Sequence, residues 1–216
     1  MKIGILSATR QSPEKIEKRT GILSKMVAGS AELHIIPSDS PLEQLRTLDD
    51  YRIATPYMVE AAKREEGRYG AYIIGCLGDA GLQQLRLSTR TPVIPPSRSA
   101  FMMAATCFER FALFANDNDG AARRMTILQE MGIDRCLARM VVTDIAPLDY
   151  VSKPDQAMER VQNLLKEGAD DALAIIPTCA SLAILLEERG IHHLAGMRVI
   201  DPLHIAIRLA EAICGS

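Results

Sequence analysis

Short apolar runs alternate with amphipathic stretches along the chain, and no other feature restricts its folding as much. Ile3–Leu6, Leu33–Ile36, Ala71–Ile74 and Val93–Ile94 read as strands in the first half, and Phe111–Phe114, Ala138–Val142, Leu173–Ile176 and Met197–Ile200 in the second. Apolar runs of this length suit strands buried on both faces. Between them, Pro13 to Val27 carries Ile16, Ile22, Leu23, Met26 and Val27 near one face. Thr55 to Arg64 carries Met58, Val59, Ala61 and Ala62 on an otherwise charged segment. Such stripes bury one side of a helix. The expectation is an α/β fold, with parallel sheet covered by helices on both faces.

The halves have matching layouts. Ser7, just past the first strand, precedes Cys76 by 69 positions; Ala115, just past the first strand of the second half, precedes Cys179 by 64. Each cysteine thus closes the third strand of its own half. No identity between the halves accompanies this parallel. The proline-marked stretch Thr91-Pro92-Val93-Ile94-Pro95-Pro96-Ser97 separates them. Asp201-Pro202 opens a final helix, His204 to Cys214, that returns to the first lobe. The expected division is 1–95 with 201–216 for the first lobe and 96–200 for the second.

Charge excludes several classes of partner. Lys and Arg total 25 and Asp and Glu 27, a formal net charge of −2, which gives no field to hold a polyanion or an acidic membrane surface. A small molecule is the expected partner, and neither nucleic acid nor membrane is. No window approaches the roughly 18 apolar residues of a membrane helix. The apolar start is too short for a signal peptide, so the expected location is the cytoplasm. The five cysteines are odd in number and show no CxxC pair or zinc-like spacing. Free thiols in a reducing compartment fit this pattern, and no metal is expected. Gly75, Gly78 and Gly81 miss the dinucleotide spacing because Leu77 takes its second glycine, and no phosphate loop is present. No cofactor is therefore expected.

In an open parallel sheet, ligands gather at the carboxyl ends of the strands. Two segments place a cysteine there: Gly75-Cys76-Leu77-Gly78-Asp79-Ala80-Gly81-Leu82 and Pro177-Thr178-Cys179-Ala180-Ser181-Leu182. Both read as a thiol at the start of a helix, where unpaired N–H groups and the helix dipole favour an anion. Cys107, Cys136 and Cys214 lack such a turn and read as packing residues. His192-His193 follows a helix end at Gly190 and reads as ordinary surface.

The first cysteine segment, with Arg86 and Thr91-Pro92-Val93 after it, resembles the hydantoin racemase branch of the aspartate/glutamate racemase superfamily. Asp50 with Ala54-Thr55-Pro56 is similar to that family's stretch before its second long helix. Ala169-Asp170-Asp171-Ala172 is similar to its approach to the second cysteine, and Arg198-Val199-Ile200-Asp201-Pro202 to its last strand and helix entry. The resemblance implies an α/β fold of two similar Rossmann-like lobes with parallel sheets related by a pseudo-twofold axis, an active site in the cleft between them, and a homo-oligomer. It also implies that Cys76 and Cys179 act as opposed acid and base at a carbon next to a carbonyl. Backbone donors at Leu77, Gly78, Asp79, Ala180 and Ser181 would steady the resulting enolate.

The polar shell departs from the family pattern. Ser7-Ala8-Thr9-Arg10 replaces Asn-Pro-Asn-Thr, Ala115-Asn116 replaces a threonine pair, and Pro95-Pro96-Ser97-Arg98 stands where Gly and then Glu are usual. Thr178-Cys179-Ala180-Ser181-Leu182 replaces Gly-Cys-Ala-Gly-Met. Ser7, Thr9, Ser97, Asn116 and Thr178 are the candidate substrate hydrogen-bonders, with Arg98 a bidentate partner for a second carboxylate. A small acidic or amide substrate other than a hydantoin is expected. A decarboxylase or cis-trans isomerase of a small dicarboxylate, and a non-catalytic ligand-binding protein, are the alternatives.

Overall fold

A computed structural model describes residues 1–166 and 171–215. The chain divides into two compact units, Met1–Pro96 with Leu203–Ser216, and Ser97–Pro202. In the first unit the order is β1 (Lys2–Leu6), α1 (Pro13–Leu23), β2 (Glu32–Ile36), α2 (Leu48–Arg64), β3 (Ala71–Ile74), α3 (Leu82–Ser88) and β4 (Val93–Ile94). In the second it is α4 (Pro96–Phe108), β5 (Phe111–Ala115), α5 (Asn118–Glu130), β6 (Leu137–Val142), α6 (Asp149–Ser152), α7 (Pro154–Lys166), β7 (Ala174–Ile176), α8 (Ala180–Glu188), β8 (His193–Leu194) and β9 (Met197–Val199). The chain then re-enters the first unit through α9 (Pro202–Cys214). Ala169 and Asp170, from the stretch compared above with the family's approach to its second cysteine, lie outside the described residues.

The sheets share one strand order. The first runs β2-β1-β3-β4 and the second β6-β5-β7-β9-β8, with every pairing parallel except β8 with β9. The fold class is therefore α/β with two parallel-dominated sheets. All eight runs read as strands from the sequence are strands.

The apolar stripes do what their spacing demands. In the first unit Ala54, Met58, Ala61 and Ala62 of α2 pack with Leu6, Ile36, Tyr72, Ile74 and Leu85. In the second, Phe114, Val141 and Ile175 pack with Tyr150, Met158, Val161, Leu182 and Leu186. Burying each large apolar side chain contributes about 1.5–3 kcal/mol. Leu203, Ala206, Ile207 and Ala210 form the buried stripe of α9, and Glu211 accepts the N–H groups of Ala28 and Gly29 at 3.0 and 3.1 Å.

Three local expectations are corrected. Helix α2 starts at Leu48, not Thr55: Thr47 and Asp50 form a reciprocal capping box, so the helix is already under way when it passes Pro56. The residues Ala54-Thr55-Pro56 are interior to it. Helix α1 ends at Leu23, and Ser24–Met26 form a 3-10 turn. The strand β8 escaped notice because its hairpin with β9 turns on Ala195 and Gly196, both with positive φ (49° and 83°). That is the backbone of a two-residue primed turn, usually signalled by Asn-Gly or Asp-Gly.

Candidate active site

Strand order alone marks a switch point in each unit. From β1 the chain moves outward to β2, then crosses to the far side of β1 to form β3; β5, β6 and β7 repeat the pattern. Loops leaving β1 and β3 therefore diverge at their carboxyl ends, as do those leaving β5 and β7, and such switch points are where open α/β sheets bind ligands. Cys76 follows β3 and Cys179 follows β7.

The Cys76 turn is closed by its own main chain. The N–H of Gly78 donates to Cys76 Sγ at 3.4 Å, and that of Asp79 to the Cys76 carbonyl at 3.1 Å. Asp79 and Gly81 both take left-handed φ, 51° and 68°. Helix α3 begins only at Leu82, so Cys76 lies six positions ahead of it and not at a helix start as expected. Gly75 lets the ends of β1 and β3 meet, since a Cβ there would fall 2.5 Å from the Leu6 carbonyl oxygen. Gly78 carries no side chain because the Tyr51 ring of α2 occupies that space. The backbone donors expected at Gly78 and Asp79 thus serve the cysteine itself. Leu77 is buried at 2 % exposure and Asp79 at 8 %.

Beside this turn, Ser7 follows β1 and is 1 % exposed. Its hydroxyl donates to the Thr9 carbonyl at 2.7 Å and accepts from Gln11 Nε2 at 2.7 Å. Thr9 is half-buried.

Cys179 has different surroundings. It is the N-cap of the nine-residue α8, and its carbonyl accepts from Ala183 N–H at 3.0 Å. Here the thiol does stand at a helix start. Ala180 and Ser181 contribute first-turn N–H groups that the helix cannot pair internally. The cysteine is 8 % exposed and packs in the apolar cluster with Leu182, Leu186 and Tyr150.

Polar groups beneath Cys179 are fixed by the sheet and by α5. The Thr178 hydroxyl donates to the Phe114 carbonyl, which anchors to β5 a side chain expected to face substrate. Arg124, 6 % exposed, donates from Nη2 to the Thr178 carbonyl at 2.8 Å and from Nη1 to the Gly120 carbonyl at 3.3 Å. Tyr150 and Thr143 share a hydrogen bond of 3.1 Å. Since Thr143 donates its one hydroxyl proton to the Ala115 carbonyl, Tyr150 is the donor. Burial first, and then the proximity of Cys179, raise Tyr150 above the ordinary phenol range.

The remaining candidates scatter. Asn116 is half-buried between β5 and Asp117, the N-cap of α5. Ser97 is fully buried in the first turn of α4. Arg98 pairs with Glu130 of α5. Cys107 is exposed and Cys136 and Cys214 are partly so, against the expectation of buried packing residues; burial raises the Cys214 thiol. No cluster able to hold a metal occurs among the described residues, and none of the described helices is long and apolar enough to cross a membrane. Gln11, Tyr51, Arg124, Thr143 and Tyr150 were missed. Only Arg124 left a trace, as a charge at a position that α5 buries.

Comparison with known proteins completes the picture. The model of the Asp/Glu/hydantoin racemase family matches residues 20–210. A hydantoin racemase from Rhizobium meliloti is 26% identical over 201 residues, covering 89% of this chain and 81% of that protein. A second, from Pseudomonas sp. (strain NS671), is 26% identical over 186 residues, covering 83% and 72%. An allantoin racemase structure from Klebsiella pneumoniae superposes with a TM-score of 0.84 at 20% identity, covering 100% of this chain and 88% of that one. A glutamate racemase from Bacillus anthracis gives 0.69 at 14% identity, with coverages of 98% and 80%.

Proposed function

Because the chain belongs to the Asp/Glu/hydantoin racemase family, and with it to the isomerases, we propose that it inverts a carbon next to a carbonyl in a small acid or amide without a cofactor, using Cys76 and Cys179 as the two proton-transfer groups. One observation carries this reading: each sheet presents one thiol just past the strand across its switch point. The thiolate of one cysteine takes the proton from the stereocentre, the electron pair moves onto the neighbouring carbonyl oxygen as an enolate, and the thiol of the other delivers its proton to the opposite face. One turnover exchanges the protonation states of the sulfurs, and the reverse reaction restores them. Ala180 and Ser181 N–H groups are suited to the enolate oxygen, whereas those of Gly78 and Asp79 are engaged with Cys76. The dicarboxylate reading drew on the altered polar shell and on Arg98, and Arg98 pairs with Glu130. The protein is further proposed to act as a homo-oligomer in the cytoplasm.

The test is deuterium exchange in D₂O, followed by proton NMR and chiral chromatography, over 5-substituted hydantoins, N-carbamoyl and free amino acids, and hydroxy acids. The expected result is exchange with loss of optical activity in one class. Cys76→Ala and Cys179→Ala should each lower racemisation by about 10³-fold. Full racemisation in either variant rules out two-thiol chemistry, and exchange of nothing in the panel, with binding retained, favours a ligand-binding protein.

A further inference from the structure

The hydrogen bonds at the end of β1 fix the direction of a side chain for which racemisation by the two thiols assigns no task. The single hydroxyl proton of Ser7 goes to the Thr9 carbonyl, so Ser7 Oγ can only accept from Gln11. The nitrogen of the Gln11 carboxamide must therefore face Ser7, and its oxygen must face away. That oxygen, Oε1, is buried and has no hydrogen-bond partner among the described residues. A buried carbonyl oxygen without a donor is a costly arrangement that proteins seldom keep without a use. It stands on the loop leaving β1, which the close approach at Gly75 brings against the loop carrying Cys76: a Cβ on Gly75 would lie 3.3 Å from Ser7 Cα.

We propose that Gln11 is a specificity-determining residue whose Oε1 accepts a hydrogen bond from an uncharged N–H of the substrate, so that the enzyme selects amides, ureides or imides over simple carboxylic acids. This rests on the racemase reading and narrows its substrate class. A carboxylate or ether oxygen set against Oε1 would leave two acceptors facing each other, whereas an N–H satisfies the amide. Ser7 holds the carboxamide in the accepting orientation and so acts as a positioning residue. An apolar side chain in place of Gln11 tolerates the N–H and its replacement about equally. Sites built around a substrate N–H reject analogues lacking it far more strongly than apolar pockets reject a change of shape.

The experiment measures C5 deuterium exchange of 5-benzylhydantoin beside two analogues: the oxazolidine-2,4-dione with ring oxygen in place of the N–H next to the reacting carbon, and the 3-methylhydantoin that blocks the other N–H. Wild type is expected to discriminate against at least one analogue by about 100-fold or more in kcat/KM. Gln11→Met should bring that ratio to within about threefold of one, chiefly by slowing the hydantoin, and Gln11→Leu, which likewise lacks an acceptor, should do the same if Gln11→Met folds poorly. Undiminished discrimination in a folded Gln11→Met or Gln11→Leu overturns the inference and leaves racemisation standing. Exchange confined to acids without an N–H also overturns the inference alone, whereas failure of wild type to exchange any compound overturns both readings.

Discussion

The turns carrying Cys76 and Cys179 hold the same topological position and are built by different means. The first relies on backbone shape: Gly75 for close approach, Gly78 beneath Tyr51, and left-handed Asp79 and Gly81, which fold the main chain back onto the sulfur and carbonyl of Cys76. The second has none of these. It relies on a helix start and on polar groups that clamp Thr178 from below. Sharing a strand order therefore does not oblige two loops to share a local solution, provided each leaves N–H groups around the sulfur or the oxygen it serves.

Lesions should separate the two constructions. Gly75→Ala has the largest expected effect, because its Cβ meets the rigid Leu6 carbonyl and must force β1 and β3 apart. A loss of about 100-fold in kcat/KM is expected from misplacing Cys76. The rate of Cys179 alkylation, read by peptide mass spectrometry, should stay as in wild type; an equal change at both cysteines would mean that the turns are not independent.

Arg124→Met is the converse lesion. It leaves the Thr178 and Gly120 carbonyls without their guanidinium donors, at a cost of about 1–3 kcal/mol in urea unfolding. Cys179 alkylation should change and Cys76 alkylation should not. An unaltered Cys179 rate would show that the clamp does not shape its turn.

The smallest effect comes at alkaline pH. Burial raises Tyr72 of the first unit to about 12, with Glu66 and Glu65 adding to it, and raises Tyr150 of the second. Each phenol is neutral in both folded and unfolded chains below about pH 10, so this stabilisation is complete there. As the pH rises past 10 the unfolded chain ionises first, and stability falls through about pH 12. Tyr72→Phe should flatten the decline in urea midpoint over that window; an unchanged slope would remove Tyr72 as its source.

The layered fold was legible in the sequence because buried parallel strands leave uninterrupted apolar runs such as Ala71–Ile74 and Phe111–Phe114. Helix α2 was misread at its start because Pro56 resembles a first-turn proline, while the capping signal at Thr47 and Asp50 lies upstream. The places of Cys76 and Cys179 just past strands were legible from the apolar runs before them. Gln11, Arg124 and Tyr150 were not, since their roles depend on partners distant in sequence or on which atom of a short-range pair holds the proton. Composition and periodicity carry neither.

The split first unit also bears on synthesis. Residues after Leu203 complete it, and Glu211 ties down the chain at Ala28 and Gly29, whereas the second unit is one continuous segment. On the ribosome the second unit can thus reach its native state before the first does, and the first stays unfinished until α9 has been made.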